Sequence, residues 1–171
     1  MDKHKVFISF YHKDEEYKKY LVDNYSDYFI NKSVEDGEYD PDDSDEYIKR
    51  LIREEKITDS SVIVVLIGPD TYKRKHVDWE IYAGLKGSIN GRSALVGIIL
   101  PEYRLDSGNK YRYKDIPDRL ADNVKSGYCK VYSWENAKHN FCKIINDAFN
   151  EKDSIKDKAD NSRQQMKNNR S

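Results

Sequence analysis

The chain has 171 residues, 36% of them charged, and its 31 acidic and 30 basic residues leave a net charge of −1. This balance excludes a global electric field that would recruit nucleic acid or an anionic membrane. The length suits one domain with a sizeable core, so we predict a folded domain over residues 1–150 and a polar, flexible tail over residues 151–171.

The sequence also indicates where the protein resides. It has no apolar run of membrane-spanning length, and residues 2–5 are polar and lead directly into a strand, so we expect neither a membrane segment nor a signal peptide. We therefore expect a cytoplasmic protein. Its two cysteines, Cys129 and Cys142, are expected to be reduced, which agrees with that compartment.

Five apolar segments predict strands, and the stretches between them have apolar residues at helical spacing. The predicted strands cover residues 6–10, 28–30, 62–67, 94–100 and 130–132. The unbroken apolar run 62–67 is typical of a central strand buried on both faces of a parallel sheet, whereas 28–30 is weaker and predicted nearer an edge. The alternation of strands with helices indicates an α/β fold, a flavodoxin-like doubly wound parallel sheet of about five strands with helices on both faces.

The predicted helices begin at residues that can cap a first turn. Asp14 is placed to cap the first helix, and Asp43 and Glu46 have the spacing of a capping box before the second. Asp70 or Thr71 can cap the third. The inward residues of the second helix are predicted to be Ile48, Leu51 and Ile52. The third and the two later helices are predicted over residues 72–85, 118–125 and 136–149.

The acidic stretch 33–46 is predicted to be a loop, because Gly37 and Pro41 favour turns there. Its eight acidic residues suggest calcium, yet no register matches the ligand pattern of an EF-hand loop. We therefore interpret it as a solvated acidic loop or helix-capping cluster. The histidines show no metal-ligand spacing with one another or with the cysteines, and no metal is expected; they are His4, His12, His76 and His139.

Several α/β protein classes lack their motifs in this sequence. The loop after the first strand, residues 11–14, has no glycine with which to hold a flavin phosphate, although a flavin-binding domain stays an alternative. The central strand ends in Ile67-Gly68 rather than in the aspartate of a phosphoacceptor receiver domain. Neither a Walker loop nor a dinucleotide GxGxxG motif is present.

One carboxylate stands out in the helix after the central strand. Val77, Ile81 and Leu85 form the inward stripe of that helix, and Trp79 and Glu80 lie beside the stripe. This places Glu80 near the carboxyl end of a central strand, where open α/β sheets bind their ligands. The alternative interpretation is a solvated surface glutamate paired with a neighbouring cation such as Lys73 or His76.

Three segments together resemble the TIR-like domain family, and more narrowly the TIR-like proteins of the Thoeris anti-phage defence system. They are residues 6–10, residues 64–68 with Thr71, and residues 77–81. The resemblance implies a flavodoxin-like fold and an enzyme that cleaves NAD+ at the nicotinamide–ribose bond. It further implies a cyclic ADP-ribose-type product that activates a separate effector protein.

The resemblance also implies roles for individual residues. Glu80 falls at the position of the family's catalytic glutamate. His76 occupies the position four residues earlier, where the family often has tryptophan, and in this chain a tryptophan directly precedes the glutamate instead. The residues expected to bind substrate are Ser9, Phe10, Tyr11, Asp14, His76 and Trp79.

The expected partners follow from the same resemblance. NAD+ is expected as substrate and no cofactor is required; the effector is reached through a diffusible nucleotide, and self-association fits a chain without an effector domain. The tyrosine- and arginine-rich loop 103–114 could bind single-stranded nucleic acid, but the near-neutral chain favours a pocket cover or subunit contact. The rival hypothesis is a non-catalytic TIR-like module that binds a nucleotide or a protein.

Overall fold

The apolar run 62–67 forms the central strand of the protein. The structure, a computed structural model, describes residues 3–33, 46–87 and 91–171. In chain order its strands and helices are β1 (His4–Ser9), α1 (Glu15–Tyr25), β2 (Phe29–Asn31), α2 (Glu46–Thr58), β3 (Val62–Ile67), α3 (Lys75–Leu85), β4 (Ala94–Ile99), α4 (Asp118–Ser126), β5 (Cys129–Ser133) and α5 (Trp134–Glu151).

The described strands form one five-stranded sheet in the order β2-β1-β3-β4-β5, with every neighbouring pair parallel. This order confirms the predicted flavodoxin-like fold. All six residues of β3 are buried, as an unbroken apolar run requires when helices cover both faces of a sheet. The short strand β2 lies at an edge, as its weaker pattern predicted.

The two faces of the sheet carry different helices. One core cluster joins Val64 and its same-face neighbours to residues of α1 and α5. The other joins Ile63 to residues of α2, α3 and α4. Gly84 brings α3 close to β3, because a Cβ atom there would lie 2.7 Å from Ile63 Cγ1. The helix that carries Glu80 therefore packs tightly against the central strand.

The predicted start of α3 was wrong. The helix was expected from residue 72 with a cap at Asp70 or Thr71, but residues 71–73 form a 3₁₀ turn and α3 begins at Lys75. The Thr71 hydroxyl instead closes the turn after β3, accepting from Gly68 N at 2.8 Å and donating to Leu66 O at 3.3 Å. A threonine that satisfies this turn is not placed to cap the helix four residues further on.

Two details of the other helices also differ from prediction. Asp14 directly precedes α1, yet its carboxylate makes no capping hydrogen bond within the described residues. Leu51 on α2 is 46% exposed, and the inward face of that helix carries Arg53 and Ile57 instead. Three other predictions for this region fall on residues or side chains that the structure does not describe. They are the loop 33–46, the capping box of Asp43 and Glu46, and the inward side chains of Ile48 and Ile52.

Both cysteines are free, as predicted. Burial raises the pKa of the Cys129 thiol, which makes its reactive thiolate scarce. Among the helices of the described ranges, none is long and apolar enough to cross a membrane. The domain limits 1–150 and 151–171 stay a prediction.

Candidate active site

Glu80 lies on α3 beside the carboxyl end of β1. The Ser9 hydroxyl, at the last position of β1, donates a hydrogen bond of 2.9 Å to Glu80 Oε1. The glutamate is 4% exposed, so it is not a solvated surface charge. The alternative pairing with Lys73 does not form either, because that ammonium binds Asp70 at 3.0 Å.

Arg53 completes the immediate surroundings of the carboxylate. Its Nη1 atom lies 3.5 Å from Glu80 Oε2, and the side chains of both residues are almost fully buried. Arg53 is not among the site residues predicted from the sequence. A usable signal existed, because Arg53 precedes the buried Ile57 by one helical turn and therefore shares its inward face.

The environment of Glu80 has opposing effects on its ionisation. Burial raises the pKa of Glu80 from 4.5 to about 7, although Arg53 and the Ser9 hydroxyl both act to lower it. Desolvation disfavours the charged carboxylate, whereas a nearby cation and a hydrogen-bond donor favour it. Near neutral pH the charged and neutral forms therefore coexist, which is a usual property of groups at functional sites.

His76 lies one helical turn before Glu80 and is also buried. Its Nε2 atom lies 3.0 Å from the Phe10 carbonyl oxygen. Because a carbonyl oxygen can only accept, Nε2 carries the hydrogen in this contact. The same nitrogen is 4.0 Å from Glu80 Oε1. His76 therefore ties α3 to the loop after β1 and sits at the edge of the carboxylate's surroundings.

The two aromatic residues after β1 have different environments. Phe10 is 1% exposed and its side chain belongs to the core cluster of α1 and α5, whereas its carbonyl contacts His76 on α3. The half-buried Tyr11 ring lies 4.7 Å from the Arg74 guanidinium, directly before α3. The substrate-binding roles predicted for these residues stay predictions.

Asp14 occupies a separate position at the same edge of the sheet. It is 8% exposed and lies against the turn after β3, where a Cβ atom on Gly68 would be 2.4 Å from Asp14 Oδ2. Burial, followed by the charges of Glu102 and Asp70, raises the pKa of Asp14 to about 6. Among the described residues, no group of three or more His, Cys, Asp or Glu side chains could hold a metal ion.

Trp79 is almost fully covered, with 9% of its surface exposed. The Arg50 guanidinium lies 4.2 Å and the Lys75 ammonium 5.1 Å from its ring centroid, close enough for cation–π attraction. Its indole Nε1 donates a 2.7 Å hydrogen bond to the carbonyl of Met166 in the tail. Contact between this ring and a substrate would require one of these groups to move.

Comparison with known proteins supports the identification of the fold. The family described as Thoeris protein ThsB, TIR-like domain, matches residues 7–104, more than half of the chain, and the match includes Ser9, Arg53 and Glu80. None of the curated proteins matches the chain. The family match supports involvement in the Thoeris system and confirms the resemblance seen in the three segments. The chain belongs to the family of Thoeris ThsB proteins with a TIR-like domain.

Proposed function

We propose that this chain cleaves NAD+ at the nicotinamide–ribose bond and converts the product into a cyclic ADP-ribose-type messenger. Glu80 is the catalytic residue, NAD+ is a substrate rather than a cofactor, and the messenger activates a separate effector of anti-phage defence in the cytoplasm. The observation that carries the proposal is the buried Glu80 carboxylate, held between Ser9 and Arg53 at the carboxyl edge of the parallel sheet. Membership of a Thoeris TIR-like family supports it.

Cleavage of the nicotinamide–ribose bond requires an anion near the ribose and does not require a general acid. Nicotinamide leaves as a neutral molecule from a cationic glycoside, because the bonding electron pair stays on the ring nitrogen, so no group must protonate it. Positive charge then develops on the ribose, and a preorganised carboxylate is the group that stabilises an oxocarbenium-like transition state. In this proposal the ionised form of Glu80 supplies that charge.

A second step forms a new bond at the same ribose carbon. In cyclisation the nucleophile is an atom of the same ADP-ribose, and in hydrolysis it is water. In either case the nucleophile loses a proton when it becomes bonded, and the Glu80 carboxylate or solvent accepts that proton. We propose cyclisation as the main outcome.

Substrate access requires movement in this site. Glu80 is almost fully buried, so ribose reaches the carboxylate only after one of the covering groups shifts. Displacement of Arg53 would open Glu80 Oε2 to the ribose, and the positive charge that develops on the ribose would then take the place of Arg53 in favouring the ionised carboxylate. The opening step and the electrostatic step are thereby linked.

A second function, from another class, is favoured by the same burial. A glutamate that is paired with an arginine and 4% exposed can also be a structural ion pair inside a non-catalytic TIR-like module. Such a module would bind a nucleotide or a partner domain without breaking the nicotinamide bond. In that case Glu80 contributes to folding alone.

Nicotinamide release separates the two functions. Purified protein is incubated with NAD+ and the products are resolved by chromatography, with Glu80→Gln as the test variant and Glu151→Gln as the matched control. Glu151 lies in an exposed ion pair with Lys130, away from the site. We expect Glu80→Gln to lower release by at least about 100-fold and the control to match the wild type.

Two outcomes would contradict the enzymatic proposal. Equal release by the wild type and Glu80→Gln would show that Glu80 is not the catalyst. Saturable binding of NAD+ in calorimetry, together with no release even in extracts of phage-infected cells, would identify the non-catalytic module instead.

A further inference from the structure

The tail supplies the first hydrogen-bond acceptor of the Glu80 helix. The amide of Lys75, the first residue of α3, donates to Asn169 Oδ1 at 2.8 Å. Arg74, the residue before the helix, carries only donors in its side chain and cannot accept from the first turn. The next tail residue continues the attachment, because Arg170 N donates to Lys73 O at 2.8 Å. The cap of α3 is therefore a side chain that is distant in sequence.

The tail also holds the two residues that precede Glu80. Met166 N donates to Asp78 Oδ2 at 2.8 Å, and Met166 O accepts from the Trp79 indole at 2.7 Å. Asp78 is itself buried and receives Arg119 of α4 at 3.0 and 3.4 Å. One tail residue thus fixes the two residues that directly precede the candidate catalytic glutamate.

The attachment continues along α3 and reaches α2. Asn161 accepts from Arg119 Nη1 at 3.1 Å and donates to Tyr82 O at 3.2 Å. Gln165 Oε1 accepts from Arg50 Nη2 at 3.3 Å, one helical turn before Arg53. The tail therefore contacts both helices whose side chains form the Glu80–Arg53 pair.

We propose that residues 161–170 are a positioning strap for the Glu80 site: they cap α3 through Asn169 and fix Asp78 and Trp79 through Met166, and thereby hold the Glu80 carboxylate against Ser9 and Arg53. Asn169 and Met166 are positioning residues, because their hydrogen bonds described above reach Lys75, Asp78 and Trp79 and not Glu80 itself. This inference rests on the proposed function for its effect on turnover.

Small displacements of α3 matter because the site is assembled from three elements. Ser9 comes from β1, Arg53 from α2, and His76 and Glu80 from α3. A helix whose first turn has lost its cap frays first at that end, and His76 and Glu80 lie within the first two turns. A displacement of about 1 Å at a reacting group can cost on the order of 100-fold in rate.

The test uses substitutions in the full chain. Asn169→Ala removes the acceptor for Lys75 N, and Met166→Pro removes the N–H donor to Asp78. Asn168→Ala is the matched control, since this exposed neighbour lies outside the contacts described above. Asn169→Asp restores an acceptor oxygen at the helix start and is the rescue variant.

Two measurements test the proposed strap independently of NAD+ cleavage. In Asn169→Ala/Met166→Pro we expect amide exchange at residues 75–80 to accelerate on the order of tenfold. We expect the midpoint of the Glu80 carboxyl titration, followed by ¹³C NMR, to move by about half a unit or more, because its contacts loosen. Asn168→Ala should change neither. Unchanged exchange and an unchanged midpoint in the double variant would overturn the inference.

Turnover provides the functional measurement. We expect Asn169→Ala to lower kcat for nicotinamide release about five- to tenfold with KM nearly unchanged, and Asn169→Asp to recover most of it. Faster release by the uncapped variants, or a failure of Asn169→Asp to recover kcat, would overturn the inference. If the wild type itself releases no nicotinamide, the proposed function fails. Amide exchange at residues 75–80 and the titration of the Glu80 carboxyl still test whether the tail positions the site.

Discussion

The Ser9 hydroxyl donates to Glu80 Oε1 over 2.9 Å and joins the end of β1 to the helix that follows β3. The two residues are 71 positions apart in sequence. They meet because β1 and β3 are neighbours in the sheet, with Ser9 paired to Val65. The hydroxyl acts to lower the pKa of Glu80 against the effect of burial. Ser9 therefore acts with Arg53 to favour the charged carboxylate, against the effect of burial.

The first prediction concerns this hydrogen bond. Ser9→Ala should raise the pKa of Glu80 above its wild-type value, because the ionised carboxylate loses a donor worth about 1.5–3 kcal/mol. Nicotinamide release at pH 7 should fall about tenfold and recover as pH rises. The pH profile of kcat measures this, with the exposed Ser154→Ala as control. A lower kcat at every pH, with the midpoint of the profile at the same pH as in the wild type, would contradict this prediction.

The second prediction concerns the pH dependence of stability. Since burial raises the pKa of Glu80 from 4.5 to about 7, the native state keeps a proton between these values that the unfolded chain has lost. This stabilising contribution is complete below pH 4.5 and disappears as pH rises through 7; it amounts to at most about 3 kcal/mol.

Glu80→Gln tests that dependence because glutamine cannot ionise. From pH 5 to pH 8 the free energy of unfolding of the variant should improve relative to the wild type by up to about 3 kcal/mol. The predicted effect is a difference in slope against pH, so a constant loss of stability from removing the Arg53–Glu80 ion pair leaves it unchanged. Urea titrations at intervals of one pH unit measure it, and parallel stability curves for the two proteins would rule out a buried carboxyl with a raised pKa.

The third prediction concerns the close contact between Gly68 and Asp14. Gly68→Ala places a methyl group 2.4 Å from Asp14 Oδ2, so the buried carboxylate must move and the fold should lose about 1–3 kcal/mol. Gly108→Ala is the matched control, since its nearest neighbour would be 3.4 Å away. In the background of Asp14→Ala the cost of Gly68→Ala should shrink, and strictly additive costs in this double-mutant cycle would refute the contact.

The fourth prediction concerns the buried ion pair that Met166 joins. Arg119→Met leaves Asp78 without its cation at a fully buried position and should cost about 3–5 kcal/mol in unfolding free energy. Asp122→Asn breaks the more exposed pair with Arg163 and should cost less than about 1 kcal/mol. Chemical denaturation of the two variants compares them. Equal losses would mean that burial of the Asp78 pair has no energetic consequence.

The parallel sheet and its strand order could be predicted because both rest on local patterns in the sequence: the apolar runs that form the strands and the alternation of these runs with helices. The apolar run 62–67 is rich in β-branched residues and is followed by Gly68-Pro69, which favours a buried strand over a buried helix, and all six of its residues are buried. The position of Glu80 was predicted by the same reasoning, because a helix that follows a central parallel strand begins near the carboxyl edge of the sheet. Its assignment as catalytic came from the family resemblance, which no local pattern could supply.

The surroundings of Glu80 could not be predicted, because they depend on contacts between distant segments. Arg53 reaches the site across the α2–α3 packing, and Leu51, which the apolar pattern placed inward, is exposed. Met166 contacts Asp78 and Trp79 through backbone atoms, which every residue carries and which therefore leave no mark in sequence.

The cap on Lys75 has a consequence for how the protein is made. Acceptor and donor are 94 positions apart, so the Glu80 helix leaves the ribosome well before its acceptor does, at roughly 5–20 residues per second. The nascent chain can build all five strands while the helix start is still open. The cap on Lys75 forms only once residue 169 has been translated, and proteolytic cleavage in the exposed stretch 162–164 would release this cap while sparing the sheet.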